Sequence, residues 1–336
     1  MTSTTLEEAK TYARILAKSV LPASAISRLR AGSQQRRRAV RRKAGCDPAT
    51  GQRLVDDLRA LGIERGRDLL VHSSMSALGP VEGGAATLLA ALVEVAGPEA
   101  TILAPAYPMP GSMLEWMQRP DVFDLRHTRS CMGAFTELLR SQPGAQRSAH
   151  PTHSIVALGP HAEEYVSDHH RGQTGTGPLS PFAKHIDRGG QILCLGTGIG
   201  KVTSYHVVED VMPGFPISPY LEKMINKAVV FADGQRREIA TRVHDPRLSP
   251  WRIDNFMPKE REIHALLRAQ GLVSDGRLGA AAASLIDAGA LLTAMRDWAY
   301  HGITIYHRPL LQRLGLVLGK PLGGRPQGTV PSHNST

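Results

Sequence analysis

Long apolar runs are missing from this 336-residue chain. None approaches the ~20 residues that a membrane-spanning helix requires. The first residues lack a continuous apolar core and include Glu7 and Glu8, so no secretory leader is expected and the cytoplasm is the expected location. Cysteine is scarce: Cys46, Cys131 and Cys194 stand far apart, without CxxC spacing. That excludes a disulfide framework and a cysteine-rich zinc site. Internal repeats are absent, and aromatics make up only 5%.

Acidic residues are fewer than basic ones, and the net charge is +10. The imbalance is local. Residues 1–50 carry eleven Lys or Arg against three Asp or Glu, a balance of +8, which leaves +2 for the rest. Its centre is the run Arg36-Arg37-Arg38-Ala39-Val40-Arg41-Arg42-Lys43. The wider segment 28–43 offers a weak contact with anionic membranes or polyanions. It lacks interleaved aromatics and any DNA-reading module, so no specific nucleic-acid partner is expected.

What remains is a 42% apolar, 21% charged globular composition. Leu6, Ala9, Ala13, Leu16 and Val20 recur at helical spacing and predict an amphipathic helix over 4–21. With the basic run it forms an expected N-terminal helical extension, 1–50. The main domain is expected over 51–319, and a disordered Gly/Pro/Ser-rich tail over 320–336. Leu54, Val55, Leu58 and Leu61 predict a helix stopped by Gly62. Strands are expected at 68–73, 100–104, 153–159 and 190–196. Helices are expected at 84–96, 132–141, 160–168, 180–187, 258–270 and 279–297. A long structured loop is expected over 105–130, and a hairpin over 227–241 turns at Asp233-Gly234. Alternating strands and helices with one late hairpin give an α/β fold, a mixed β-sheet flanked by helices.

The chemistry-bearing residues cluster at expected element ends. Gly196-Thr197-Gly198-Ile199-Gly200-Lys201 follows a strand but matches neither the dinucleotide fingerprint nor a Walker loop. It reads as a flexible turn that lets backbone approach a ligand. His72-Ser73-Ser74 also ends a strand. Without a GxSxG elbow, a serine nucleophile is not expected; hydroxyls and backbone N–H groups there suit an amide-rich or phosphate-bearing ligand. His206 and Glu209 lie three apart at an expected helix start, on one face. A carboxylate beside a histidine orients it and raises its basicity, as a general base requires. The alternative is an ordinary surface pair. The fourteen histidines show no HExxH spacing, and no metal is expected.

Taken in order, these motifs become specific. They run His72-Ser73-Ser74, Ser76-Ala77-Leu78-Gly79, Val81, Gly83-Gly84; Pro105 and Tyr107; Phe123-Asp124; Ser130 and Met132-Gly133; Pro143-Gly144-Ala145, Arg147-Ser148, His150-Pro151 and Ser154; Gly177 and Ser180-Pro181; Thr203, His206 and Glu209. That order resembles the aminoglycoside 3-N-acetyltransferase family over roughly 52–300. The resemblance implies that family's own α/β antibiotic N-acetyltransferase fold, distinct from the GNAT fold. It implies acetyl transfer from acetyl-coenzyme A, as cosubstrate, to a primary amine. By the same resemblance His72, Ser73, Ser74, Ser76, Leu78, Gly79, Val81, Arg147 and Ser148 bind the coenzyme. His206, Glu209 and Thr203 serve catalysis, and Tyr107, Asp124, His150 and Asp210 bind a small-molecule amine acceptor. His150 is a second candidate for the base.

Two departures matter. Thr128-Arg129-Ser130 stands where the family often has Thr-Pro-Ser, and residues 1–50 have no counterpart in a compact member. Aminoglycosides are polycations and call for an acidic pocket. The candidate acids are Glu82, Asp121, Asp124, Glu209 and Asp210. An amino sugar of a surface polymer is the alternative acceptor, and a covalent relay through Cys131 the alternative route. An inactive scaffold that binds a polyanion or glycan is the reading outside enzymology.

Overall fold

A computed structural model describes residues 3–20, 47–109, 111–313 and 315. The basic run 36–43, Cys46 and the tail 320–336 lie outside the described residues.

Helix α1 spans Ser3–Val20 and α2 spans Gly51–Leu61. The Thr50 hydroxyl caps α2 by accepting from the Arg53 N–H, and Gly62 ends it in the left-handed region (φ 99°), where glycine carries no side-chain penalty. Then follow β1 (Leu69–Ser73), α3 (Met75–Leu78), α4 (Ala85–Ala96) and β2 (Ile102–Pro105). The expected loop holds α5 (Met113–Gln118) and β3 (Phe123–Asp124). Ser112 caps α5, a signal hidden by the surrounding prolines. Next come α6 (Ala134–Arg140), β4 (Gln146–Arg147), β5 (Ile155–Leu158), α7 (Ala162–Val166), α8 (Pro181–Asp187) and β6 (Gln191–Leu195). The chain ends with α9 (Val207–Val211), β7 (Ile225–Val230), β8 (Arg236–Thr241), α10 (Met257–Ala269), β9 (Val273–Leu278), β10 (Ala281–Asp287), α11 (Ala288–Tyr300) and α12 (Arg308–Arg313).

The single helix expected over 279–297 is corrected. Its first part is β10, paired antiparallel with β9 and β6; α11 begins only at Ala288, capped by Asp287. Ala and Leu suit either state, and burial against β6 decides for strand. The mixed sheet is otherwise as expected. Seven strands run β4-β5-β2-β1-β6-β10-β9. Strand β1 is parallel to both β2 and β6, while β5 and β10 are antiparallel to their neighbours. A second sheet, β3-β7-β8, contains the expected hairpin.

Two cores cover the sheet. One face packs Leu54, Leu58, Leu88 and Leu92 of α2 and α4; the other packs Phe182, Tyr205, Trp251, Leu291 and Trp298. Each such side chain contributes about 1.5–3 kcal/mol on burial. They fix the parallel strands, whose C-terminal ends deliver Ser73 and Pro105 to one edge, where α/β folds place their sites.

Helix α1 lies against the body. Thr11 is buried, Glu8 bonds His307 at 2.9 Å, and Tyr12, 40% exposed, meets Trp251 edge-on at 4.9 Å. Leu6 of the expected apolar stripe is 49% exposed.

Candidate active site

A cavity of about 620 Å³ opens at the ends of β1 and β2. Val71, Met109, Met113 and Met132 supply apolar wall; Ser73, Tyr107, Thr203, His153 and His206 supply polar groups. Lys201 and the Arg252–Asp254 pair complete it. A wider cavity of about 880 Å³, bounded by Tyr220, Met224 and Arg247, contains none of the residues expected to act on substrate.

His206 ends a short 3-10 turn, Thr203–His206, that runs into α9. Its Nδ1 lies 2.8 Å from Glu209 Oε1. Glu209 is a buried carboxylate, and an unpartnered charge there would be very costly. Three groups offset that cost. The Tyr306 hydroxyl donates to Oε1 at 2.9 Å, and His244 Nε2 lies 3.0 Å from Oε2. Burial pushes the Glu209 pKa upward, but the charge and hydrogen bond of His206, then those of His244, outweigh it and hold the carboxyl at about 2. Glu209 is therefore an anion that only accepts, so His206 carries its proton on Nδ1 and His244 on Nε2. In the neutral His206 imidazole that tautomer leaves Nε2 with its lone pair free. Burial, then repulsion from His206, lowers His244 to about 4, so His244 is a neutral donor. The three side chains also gather ligand-type atoms within 4.8 Å, but both carboxylate oxygens are occupied by these hydrogen bonds.

The expected residues divide. His72, Ser73, Tyr107, Thr203 and His206 line the cavity together. The Tyr107 and Thr203 hydroxyls are 2.6 Å apart. Ser74 and Ser76 pair with each other at 3.3 Å, and the Ser74 N–H is committed to the Leu195 carbonyl, so it cannot serve as an oxyanion donor. Leu78 is core, Gly79 turns the chain at φ 82°, and Val81 bridges Ala49.

Four expectations meet a different geometry. Arg147 faces inward: it donates to the Ala106 and Thr128 carbonyls and stacks over Phe123 at 4.7 Å. Burial lowers its pKa to about 10. Ser148 bonds His169 and the Ile155 N–H. His150 is fully buried, with Nε2 at 3.1 Å from Thr241 Oγ1 and Nδ1 facing the His153 N–H. Asp124 caps its own loop, accepting from the Arg126 N–H and meeting His127. None of the four lines the cavity among the described residues. Asp210 is turned to Thr176 and Tyr220, and burial raises its pKa. In the glycine-rich turn Thr197, Gly200 and Lys201 line the cavity, while the Gly200 N–H itself is bonded to Glu260 Oε1 of α10.

Sequence reasoning missed His244, Tyr306, His153 and Arg252. His244 and Tyr306 reach Glu209 from 35 and 97 residues away, and no local spacing announces such contacts. His153 was visible inside the His150-Pro151-Thr152-His153-Ser154 block, and its ring meets Tyr107 edge-on at 5.4 Å.

A histidine oriented by a buried carboxylate, facing a cavity with hydroxyls and a long apolar wall, is equipment for taking a proton from a nucleophile beside a bound donor. Fold and site thus define a group-transfer enzyme. The family model for aminoglycoside 3-N-acetyltransferase matches residues 70–300. The chain belongs to that family, and it is an acetyl-coenzyme A-dependent N-acyltransferase. Aminoglycoside N(3)-acetyltransferase VII of Streptomyces paromomycinus is 31% identical over 265 residues, 72% of this chain and 88% of that protein. The SPbeta prophage-derived aminoglycoside N(3')-acetyltransferase-like protein YokD of Bacillus subtilis is 33% identical over 206 residues, covering 56% and 73%. The match to aminoglycoside N(3)-acetyltransferase III of Salmonella, 36% identical, spans 60% of that enzyme. Among solved structures, AAC(3)-Xa superposes with TM-score 0.66 at 27% identity, over 82% of this chain and 99% of that one. AAC-IIIb, solved as a binary complex with CoASH, superposes with TM-score 0.63 at 29% identity, over 78% and 100%.

The cavity fits the coenzyme on its own chemistry. Its methionine and valine walls suit a pantetheine arm, and the hydroxyls of Ser73 and Thr203 suit amide and thioester oxygens. Lys201 at the rim offers a cation for phosphate. No helix among the described residues is long and apolar enough to cross a membrane.

Proposed function

We propose that this enzyme transfers the acetyl group of acetyl-coenzyme A directly to a primary amine of an aminoglycoside or related amino sugar, with His206 as general base. The observation that carries this reading is the His206–Glu209 contact of 2.8 Å at the cavity wall. Acetyl-coenzyme A supplies an activated thioester. This chain's residues do the rest. An ammonium cannot attack a thioester, so His206 Nε2, in the tautomer Glu209 holds, takes its proton. The amine then adds to the carbonyl, the C–S bond breaks, and coenzyme A leaves as the thiol with the proton from His206. The new amide nitrogen gives its remaining extra proton to solvent. The hydroxyls of Ser73 and of the Tyr107–Thr203 pair are the candidate donors to the developing oxyanion. Coenzyme-binding and acceptor-binding roles are proposed for His72, Ser73 and Tyr107.

The acceptor class is tested by free-thiol release from acetyl-coenzyme A with 2-deoxystreptamine aminoglycosides, simple amino sugars and sugar-nucleotide amines. Release with an aminoglycoside supports the first reading. One observation favours the second. Asp254 is the sole carboxylate that lines the cavity among the described residues, and Arg252 neutralises it at 2.7 Å. A polycation therefore finds little complementary charge there. Activity confined to weakly charged or anionic amino sugars replaces the aminoglycoside reading. Failure to bind coenzyme A at all overturns both, in favour of a polyanion- or glycan-binding scaffold. The basic segment 28–43 is proposed as a salt-sensitive contact for anionic surfaces, and residues 51–319 as the domain that carries the residues touching substrate and coenzyme.

A further inference from the structure

The segment that holds Glu209 from behind is itself held by the N-terminal helix. Tyr306 donates to Glu209 Oε1 at 2.9 Å. Its neighbours are stitched to the 251–253 segment by backbone bonds: Ile253 N–H to Ile305 O and His307 N–H to Trp251 O, both 2.8 Å, with an antiparallel bridge between Arg252 and Tyr306. Arg252, Ile253 and Asp254 form one wall of the catalytic cavity. Helix α1, which packs on α10, also touches this double segment. Tyr12 meets the buried Trp251 ring at 4.9 Å, and Glu8 Oε1 bonds His307 Nε2 at 2.9 Å. His307 in turn packs on Phe256 at 4.6 Å, and Phe256 on Trp251 at 6.0 Å.

The contacts repeat at Glu8, Thr11, Tyr12 and Ile15, one face of a helix. Thr11 is 4% exposed and Ile15 packs on the larger core. The helix therefore touches, by one aromatic contact and one hydrogen bond, the segments that carry Arg252 and Tyr306. A wall with only two short segments and few ladder bonds has little stiffness of its own. What presses on Trp251 and His307 limits where Arg252 and Tyr306 can sit.

We propose that Tyr12 and Glu8 are positioning residues for the catalytic base: through Trp251 and His307 they hold Tyr306 on Glu209, and so make α1 part of the acetyltransferase machinery. This rests on the reading of Glu209 as the residue that orients His206. Neither residue touches substrate. Their effect passes through Tyr306 to the carboxylate, and from there to the imidazole. Groups that hold metal ligands in place typically change function by 10–100-fold when lost, and these more remote positioning residues are expected at the low end of that range.

The test uses the full-length protein and a double-mutant cycle. Glu8→Gln/Tyr12→Ala should lower kcat about tenfold, measured well below its melting temperature, with the coenzyme Kd within about twofold of wild type. Tyr12→Phe, which keeps the ring, should restore kcat. Tyr306→Phe should lower kcat by a similar factor, and adding the α1 substitutions to it should cost little more, because both act through one contact. Full turnover in a folded Glu8→Gln/Tyr12→Ala protein, or losses that multiply with Tyr306→Phe, overturns the proposal. A second readout needs no turnover. The Nδ1–H proton resonance of His206 reports its bond to Glu209; it should move in Tyr306→Phe and in Glu8→Gln/Tyr12→Ala, and stay in Tyr12→Phe. If wild type proves inactive on every acceptor, the functional reading falls while this resonance still decides the coupling. An unmoved resonance in the double variant refutes it.

Discussion

His206 Nδ1 and Glu209 Oε1 are 2.8 Å apart, and Glu209 shares its two oxygens among His206, Tyr306 and His244. Because the carboxylate stays ionised at about 2, it accepts from all three and fixes which imidazole nitrogen faces the cavity. Glu209→Gln replaces an acceptor by an amide that offers N–H to one of these partners, which removes the tautomer control. Turnover should fall by ~10²-fold or more, and His206→Ala by ~10²–10⁴-fold. Coenzyme affinity should hardly change in either. Near-wild-type kcat in His206→Ala would remove it from the base role.

Charge develops on the thioester oxygen as the amine attacks. The Ser74 N–H is already bonded to Leu195 O, so the donors left near the cavity are the Ser73 hydroxyl and the paired hydroxyls of Tyr107 and Thr203. Losing the operative donor should cost ~10²–10³ in kcat. Ser73→Ala, Tyr107→Phe and Thr203→Ala, each assayed alone, identify it. Three fully active variants would shift the role to backbone N–H groups.

Much of this was legible because α/β sheets write their parallel strands as short apolar runs. Residues 68–73 and 190–196 announced β1 and β6, and their ends carried the polar motifs. The His206–Glu209 spacing announced their contact. Illegible were contacts set by tertiary packing. Ala281–Asp287 forms a strand because it lies beside β6, and its composition suits a helix equally well. Arg147 looked like a ligand-binding cation, yet its guanidinium ties three loops inside the protein. His244 and Tyr306 carry no local signal at all. Nor does hydrophobicity along α1 announce that a tyrosine ring and a carboxylate, Tyr12 and Glu8, reach Trp251 and His307.

Cys131 lines the cavity and is a free thiol. Burial, then the nearby Glu137 charge, raises its pKa, so thiolate is scarce at neutral pH and a covalent acetyl relay is disfavoured. Intact-protein mass after mixing with acetyl-coenzyme A alone should show no adduct, and Cys131→Ala should retain turnover. An adduct lost in Cys131→Ala would establish a ping-pong route in place of direct transfer.

Ligand-type atoms of His206, Glu209 and His244 lie close enough for a metal, so hydrogen bonding and coordination make opposed forecasts. If the protons are in place, dialysis against a chelator leaves kcat unchanged. Added zinc should inhibit instead, because it must displace the Nδ1 proton of His206. Turnover lost on chelation and restored by a metal ion would show that the cluster is a metal centre.

Acid stability follows from the buried imidazoles. Burial lowers the pKa of His72 to about 4, of His150 to about 3 and of His185 to about 4; burial and then His206 lower His244 to about 4. In the unfolded chain each returns to about 6.5. Between those limits the unfolded state binds protons that the folded state refuses, so stability must fall as pH falls. The contribution is complete above pH 6.5 and is lost progressively toward pH 4. Glu209 works in the same direction over a lower window, between its ordinary value of 4.5 and about 2. A single such proton changes stability by roughly 1 kcal/mol per pH unit inside its window, so four histidines produce a steep slope. The melting temperature should be flat from pH 8 to 7 and drop continuously from pH 6.5 to 4.5. His150→Asn, which removes one titrating ring beside Thr241, should make that drop shallower even if it lowers stability at pH 7.5. A melting temperature independent of pH between 7 and 5 would mean that these rings are already able to take up protons in the folded protein.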